Sequence, residues 1–148
     1  MKILIDGPNH IIRLLQNNEF IHEIISYCQS NDINAGFFSA IGAAKSVTVS
    51  FYNLNTKKYQ DKTFDEDVEI VTVTGNIATF QGQIRIHAHG SFSRNDYSVF
   101  GGHVQNLVVS ATCEIHLTKL DGRIKRELDE KTGLFLLKKT NSEVLSRK

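Results

Sequence analysis

The chain has little of what marks secreted or membrane proteins. Among its 148 residues are only two cysteines, Cys28 and Cys113, so a disulfide framework is excluded. The longest apolar run, residues 36–44, is far shorter than the roughly 20 residues of a membrane-spanning helix. Asp6 interrupts the N-terminal apolar run too early for an export signal. We therefore expect a cytoplasmic protein with no membrane partner.

An excess of either charge is also missing. Seventeen Lys and Arg residues nearly balance sixteen Asp and Glu residues, which gives a net charge of +1. This balance excludes a generally basic nucleic-acid-binding surface. The charge is uneven along the chain, because residues 1–118 carry eight basic and eleven acidic side chains, whereas residues 119–148 carry nine basic and five acidic ones. This segment is either a solvated final strand with a frayed end or a contact surface for an anionic partner.

The remaining composition is that of an ordinary globular domain. Hydrophobic residues make up 41% and charged residues 22% of the chain, which excludes disordered and fibrous classes. A chain of this length suits one domain, and it can bury enough surface to fold without disulfides. We expect a single domain over residues 1–148.

One segment has the spacing of a helix. Its apolar residues fall on one helical face, namely Phe20, Ile21, Ile24, Ile25 and Cys28. We expect Asn17 or Asn18 to cap the start of this helix and residues 31–32 to end it.

Most of the other residues have strand patterns. Strands are predicted over residues 33–41, 47–52, 68–74, 84–89, 107–117 and 134–137. Turn signals fall at 53–55, 81–82, 94–96 and 121–122, and Gly75-Asn76 is expected to break a strand. Many strands with short connections predict an α+β fold, in which an antiparallel β-sheet packs with one main helix.

Three of the six histidines form the strongest candidate site. His87 and His89 are two residues apart on a predicted strand, so both project from one face, and the opposite face, with Ile84, Ile86 and Ala88, belongs to the core. His103 follows Gly101-Gly102, where the backbone can turn sharply or approach a neighbour closely. Three imidazoles with an open fourth position are typical of a catalytic or labile zinc site. Solvent-facing or hydrogen-bonded histidines are the alternative.

The other histidines are weaker candidates. We expect His10 to lie in a loop, His22 to be solvated on the polar side of the helix, and His116 to make a cross-strand pair. The sequence has no Gly-rich phosphate loop, nucleophile elbow or zinc-type cysteine pair.

Several short motifs occur in the order typical of one family. They are Ser39-Ala40-Ile41-Gly42-Ala43, the strand from Glu69 to Gly75, His87-Ala88-His89 with Asn95-Asp96, Gly101-Gly102-His103-Val104, Thr112-Cys113-Glu114, and Arg126-Glu127-Leu128-Asp129 with Thr132-Gly133-Leu134. The chain therefore resembles the PPC domain, the plants-and-prokaryotes conserved domain, in its stand-alone bacterial form. It departs from the family in having Arg85-Ile86 where proline often precedes the histidine pair. It also lacks the Arg-Gly-Arg core of the AT-hook that accompanies the domain in plants.

The resemblance implies an α+β domain that assembles as a homotrimer, with a metal site near the subunit contacts. Its ligands would be His87, His89 and His103. Zinc is the first expectation, although imidazole also suits nickel, copper and iron. Glu114 is a candidate for a further ligand or for a hydrogen-bonding partner of a ligand.

Two classes of function follow from these features. The first is a regulatory or scaffold role, in which a trimer associates with DNA or with a DNA-bound protein; near-neutral charge argues against strong direct DNA binding. The second is a metal-dependent enzyme, a hydrolase or lyase, in which Glu114 or Asp96 acts as the base toward a metal-bound water. A sensor of small ligands that uses the same histidines is a third alternative.

Overall fold

A computed structural model of the chain describes residues 2–138. The elements in chain order are β1 (Lys2–Asp6), β2 (Asn9–Leu15), α1 (Phe20–Ser30), β3 (Gly36–Asn53), β4 (Lys58–Phe64), β5 (Val68–Phe80), β6 (Gln83–Ser93), β7 (Val99–Lys119), β8 (Arg126–Asp129) and β9 (Leu134–Leu137). The first seven strands form an antiparallel sheet in the order β1-β2-β7-β6-β5-β3-β4, and β8 pairs with β9. An additional β3–β7 pairing makes a closed circuit of β3, β5, β6 and β7. The predicted α+β class, an antiparallel sheet with one main helix, is confirmed.

The core lies between this circuit of strands and the helix. The buried face of α1 presents Phe20, Ile24 and Cys28, which pack in the same cluster as Phe92 and Leu107. Each of these five side chains is at most 1% exposed. Full burial of a large apolar side chain contributes about 1.5–3 kcal/mol, so this packing is a large contribution to the stability of the domain.

Helix α1 starts where its spacing predicts, but its cap differs. The Glu19 carboxylate accepts hydrogen bonds from the backbone N–H groups of Ile21 (3.1 Å) and His22 (2.6 Å). The expected cap at Asn17 or Asn18 is therefore wrong by one or two residues. The side chain of Asn18 is already engaged, because its Oδ1 accepts from the backbone N–H of Leu15 at 2.8 Å and so closes the turn after β2.

The strands are longer and more numerous than their patterns predict. The patterns do not predict β1, β2, β4 or β8, and β3 runs without interruption through two predicted strands. The expected break at Gly75-Asn76 is wrong, because β5 continues to Phe80. A Cβ atom at Gly75 would lie 2.5 Å from both the carbonyl oxygen of His87 and Cζ of Phe38. Glycine at this position permits close strand packing and does not end the strand.

The weaker histidine predictions have mixed outcomes. His10 lies in β2 and is 4% exposed, with Nδ1 2.7 Å from the Tyr27 hydroxyl, so its predicted loop position is wrong. The contact with Tyr27 places it beside the helix, and its sequence context carries no strand signal. His22 is exposed on α1, as predicted. His116 Nε2 lies 3.4 Å from Oδ1 of Asn9, a residue of the adjacent strand β2.

Both cysteines are buried and free, and burial raises the pKa of each thiol to about 12. Within residues 2–138, no helix is long and apolar enough to cross a membrane. The predicted final strand is confirmed as β9. Residues 139–148, the end of the predicted basic segment, lie outside the described residues.

Candidate metal centre

The three candidate histidines meet on the outward face of β6 and β7. His89 and His103 are direct partners across the antiparallel ladder, and His87 is two residues earlier on β6. Ring centroids are 5.1 Å apart for His87–His89 and for His87–His103, and 5.4 Å apart for His89–His103. One ligand nitrogen from each residue lies within 4.8 Å of the others. The fold thus brings together all three histidines that the sequence predicts as ligands.

Spacing of the ligand atoms suits one ion after a small adjustment. Nitrogens bound to a tetrahedral zinc at about 2.1 Å from the ion lie about 3.4 Å from one another. Because the ligand nitrogens lie within 4.8 Å of one another, they need to converge by up to about 1.4 Å to share one ion. The three histidines could hold a metal ion.

Two glycines fix the position of His103. A Cβ atom at Gly101 would collide with the carbonyl oxygen of Gly90, and one at Gly102 would lie 3.0 Å from that of Ser50. Strand β7 therefore passes tightly between β6 and β3 just before His103. Of the two roles that Gly101-Gly102 allowed, the close approach is correct and the sharp turn is wrong, since both residues lie inside β7.

The local electrostatics favour neutral imidazoles. The pKa of His103 is lowered to about 4, first by burial and then by the neighbouring His87 and His89. The pKa of His87 is also lowered, first by burial and then by the charges of Arg126 and His89. Metals bind the neutral form of histidine, so these shifts keep ligand lone pairs available at mildly acidic pH.

Neither candidate carboxylate base reaches the histidines within one chain. Across the sheet, His89 of β6 pairs with Thr74 of β5, and Thr74 pairs with Ser39 of β3. Ser39 in turn pairs with His116 of β7. Three strand spacings of about 4.8 Å, a path of about 14 Å measured along the sheet, therefore separate His116 from His89. Glu114 lies two residues farther along β7.

Asp96 is also distant from the histidines. It lies in the turn between β6 and β7, beyond the Ser93–Val99 pair that ends their ladder. Its carboxylate accepts a hydrogen bond from the backbone N–H of Ser98 at 2.9 Å. Among the described residues, no acidic side chain joins the three histidines in the group that could hold a metal.

Sequence reasoning missed the position of Arg126. This residue begins β8, and its guanidinium donates to Oδ1 of Asn76 (2.6 Å) and to the carbonyl oxygen of Phe135 (2.7 Å). Its charge acts on both His87 and His103. The motif that contains Arg126 is visible in the sequence, but the 50-residue separation from Asn76 gives no local signal of this contact.

Two clefts of similar size flank the histidines. The sheet cleft, about 620 Å³, is lined by Phe37, Ser39, Thr74, Asn76, His89 and His116 among others, and includes His87. The hairpin cleft, about 600 Å³, lies between the β8–β9 hairpin and the sheet and includes His87 and His103. Its other principal lining residues are Tyr52, Tyr59, Phe80, Arg85, Arg126 and Phe135. A metal ion held by the three histidines would have access to both clefts.

Several solved structures are similar to this chain. A protein from Bacteroides thetaiotaomicron, provisionally described as DNA-binding, is 30% identical, with 93% of this chain and 96% of that chain covered and a TM-score of 0.90. A metal-containing protein from Archaeoglobus fulgidus is 28% identical, with 94% and 99% covered and a TM-score of 0.85. A plant- and prokaryote-conserved protein from Pyrococcus horikoshii is 26% identical, with 96% and 97% covered and a TM-score of 0.85.

A search among curated proteins finds no match to the sequence. The family model for the Plants and Prokaryotes Conserved (PCC) domain matches residues 5–121. This range covers most of the chain and contains all three histidines of the candidate centre. The family expected from the sequence motifs is therefore confirmed, and the chain belongs to the Plants and Prokaryotes Conserved domain family.

Proposed function

We propose that this chain is a cytoplasmic, homotrimeric PCC-domain protein that binds one divalent metal ion, with zinc as the first choice. The ligands are His87, His89 and His103. The observation that carries the proposal is the convergence of three ligand nitrogens within 4.8 Å on one sheet face. The similar protein from Archaeoglobus fulgidus is metal-containing, which supports the assignment.

The donor set fits a metal with an open coordination position. Three nitrogen ligands leave one position of a tetrahedral zinc free, and a metal at such a site acts as a Lewis acid toward a bound ligand or water. Around that position the chain itself contributes a cation, Arg126, and the ring of Tyr59, which stands 5.2 Å from that of His103. These residues suit the binding and orientation of a ligand.

The enzyme alternative, a hydrolase or lyase, uses the same centre but lacks its expected base. Glu114 and Asp96 both lie away from the histidines within one chain. The geometry of one chain therefore supports metal-dependent ligand binding, as in a sensor, whereas catalysis with either carboxylate requires that a second copy supplies it.

Elemental analysis of untagged, freshly purified protein tests the metal proposal. We expect about one ion per chain in the wild type, and loss of that ion in the His87→Ala/His89→Ala double variant. The matched control is His22→Ala/His116→Ala, which removes two histidines outside the group and retains the ion. Metal-free wild-type protein after incubation with zinc, or full metal content in the double variant, would refute the proposal.

The trimer proposal draws on the family resemblance and on exposed apolar residues. Ile41 and Val71 are 57% and 50% exposed, at irregularities of the β3–β5 and β5–β6 ladders. Burial of such residues against a second copy would remove apolar surface from water. Light scattering should give three chains per particle for the wild type and fewer for Ile41→Lys. Val99→Lys, at a residue that is 61% exposed in another region, is the control.

A DNA-associated, regulatory role is the second candidate. The observation in its favour is the provisional DNA-binding description of the Bacteroides thetaiotaomicron protein, which is 30% identical to this chain. Fluorescence anisotropy with a labelled duplex should show an affinity that falls steeply as salt rises, since phosphate contacts supply most non-specific affinity. An affinity that does not change with salt would contradict this mode. The assay requires the full chain, because the basic segment extends beyond the described residues.

A further inference from the structure

The hairpin cleft has an unusual distribution of charge. Its lining residues include three cations, Lys57, Arg85 and Arg126, and among the described residues no Asp or Glu lines it. The chain as a whole is nearly neutral. A cleft with charges of one sign and partly apolar walls concentrates ligands of the opposite sign.

Arg126 is the cation best placed to meet a ligand. It is half-buried, and the two acceptors of its guanidinium, Asn76 Oδ1 and the Phe135 carbonyl, are neutral. Within residues 2–138, no carboxylate forms an ion pair with it. Burial of a cation without a counter-ion is costly, and burial accordingly lowers the pKa of Arg126. The two hydrogen bonds hold the planar guanidinium in a fixed orientation, which suits recognition of a carboxylate or phosphate.

The walls of the cleft supply apolar contact. The rings of Phe80 and Phe135 are 4.6 Å apart, and those of Tyr52 and Tyr59 are 4.8 Å apart. Tyr59 also approaches the ring of His103 at 5.2 Å. The volume of about 600 Å³ lies within the usual range for pockets that bind small molecules. A ligand with an apolar or aromatic body would therefore bury that body between these rings.

We propose that the hairpin cleft binds a small organic anion whose apolar body lies among the aromatic rings and whose anionic group contacts Arg126. This inference rests on the proposed metal function in one respect: the anionic group also takes the open coordination position beside His87 and His103. The ligand class is an aromatic or branched carboxylate or phosphate. Lys57 and Arg85, at the edge of the cleft, add attraction at longer range.

Calorimetric titration of zinc-loaded protein tests the ligand class. The ligands used are benzoate, phenyl phosphate and the neutral benzamide. We expect at least one of the two anions to bind about tenfold or more tightly than benzamide, and the tighter anion identifies the anionic group. Equal affinity for benzamide and both anions, or no measurable binding of either anion, would overturn the proposal.

Two pairs of variants test the location. Gln105 lines the cleft and Asn106 does not, although both are exposed on β7. Gln105→Glu places a negative charge in the cleft, so it should weaken binding of the anion by about fivefold or more, whereas Asn106→Asp should have little effect. Equal effects of the two substitutions would contradict binding in this cleft.

Arg126→Gln should weaken binding of the anion by about tenfold or more. Arg123→Gln, at an exposed arginine outside the cleft, should leave the affinity unchanged. Arg126→Gln also removes hydrogen bonds to β5 and β9 and could unfold the protein. In that case the comparison of Gln105→Glu with Asn106→Asp is the test of the location. Zinc content is measured separately on every sample. A zinc-loaded wild type that prefers neither anion over benzamide refutes this inference alone, whereas absence of zinc from the wild type refutes the metal proposal.

Discussion

The inward face of strands β6 and β7 packs in the core, whereas the outward face carries the candidate metal ligands. Inward-facing residues such as Ala88, Phe92 and Val104 are at most 4% exposed and belong to the core. Outward-facing histidines on the same strands are partly or fully exposed and make the candidate centre. Alternation along a strand thus lets one segment supply both the packing and the chemistry. Substitutions on the inward face should change stability, and those on the outward face should change binding with little effect on stability.

Close backbone packing is the point where the two faces depend on each other. Gly75 has no side chain where β5 passes the carbonyl oxygen of His87, and Gly101 has none where β7 passes that of Gly90. These glycines set the strand spacing that brings the histidines within reach of one another. Both the packing of the core and the spacing of the histidines therefore depend on these two glycines.

The largest effect is expected for Gly75→Ala, which should disrupt both faces at once. The new Cβ would lie 2.5 Å from the His87 carbonyl oxygen, a backbone atom that moves only if the β5–β6 pairing opens. We expect a loss of about 3 kcal/mol in the free energy of unfolding, together with weakened metal binding. Urea unfolding measures the first and elemental analysis the second.

Gly82→Ala is the comparison for that variant. A Cβ atom at Gly82 would have no other atom within 4 Å, but the φ of +78° disfavours any residue with a Cβ. A cost of about 1 kcal/mol is expected, with metal content unchanged. If the two alanine variants were equally stable, the proposed role of Gly75 in strand spacing would be wrong.

The next largest effect concerns metal on the outward face. Zinc at about 100 times its dissociation constant should stabilise the wild type by about 2.7 kcal/mol. His89→Ala should lose most of this gain, while its metal-free form should match the metal-free wild type within about 0.5 kcal/mol, since His89 is exposed. Thermal unfolding with and without zinc measures both quantities. Strong destabilisation of the metal-free variant would show that the histidine face also supports the fold.

The same division explains what the sequence predicts. The helix and the histidine pair are predictable because each has a local period, about 3.6 residues for α1 and about 2 for β6. Strand β4 lacks such a period, since its residues from Lys58 to Thr63 are all exposed. An exposed strand has no buried face to mark its pattern, so the sequence does not reveal it. The strand break expected at Gly75 is wrong because the contacts that explain this glycine, with Phe38 and His87, come from other strands.

The candidate site divides in the same way. His87, His89 and His103 can be predicted because their residue type and spacing already limit the chemistry. Arg126 and Tyr59 cannot be placed there from sequence, because the contacts that bring them to the site join distant segments of chain. Glu114 is a candidate through its family motif and residue type, and the sheet register separates it from the histidines within one chain. Local patterns predict ligands well, but the surroundings of a ligand depend on tertiary structure.

A smaller effect is expected from pH in the metal-free protein. The pKa of His103 falls from 6.5 to about 4 on folding. Between these values the unfolded chain binds a proton that the folded chain does not, so the free energy of unfolding should decrease as pH falls from 6.5 to 4. Because the His103 side chain is only partly buried, solvent screening limits this contribution to the order of 1 kcal/mol.

Urea unfolding of chelator-treated protein at several pH values measures this slope. His103→Gln should make the decrease between pH 6.5 and 4 shallower, because glutamine does not titrate. An unchanged slope in His103→Gln would mean that other groups account for the acid sensitivity.

The smallest effect is expected where the outward face meets the β8–β9 hairpin. The Tyr52 hydroxyl donates to the carbonyl oxygen of Thr132 at 2.7 Å and so ties the hairpin to β3. Tyr52→Phe should cost about 1 kcal/mol, and mass spectrometry should show faster amide hydrogen exchange over residues 126–137 than in wild type. Tyr97→Phe, at a side chain that is 87% exposed, should change neither quantity. This hairpin carries Arg126, so faster exchange in the hairpin with an intact core would show that the hairpin cleft opens without unfolding of the domain. Unchanged exchange would show that other contacts hold the hairpin in place.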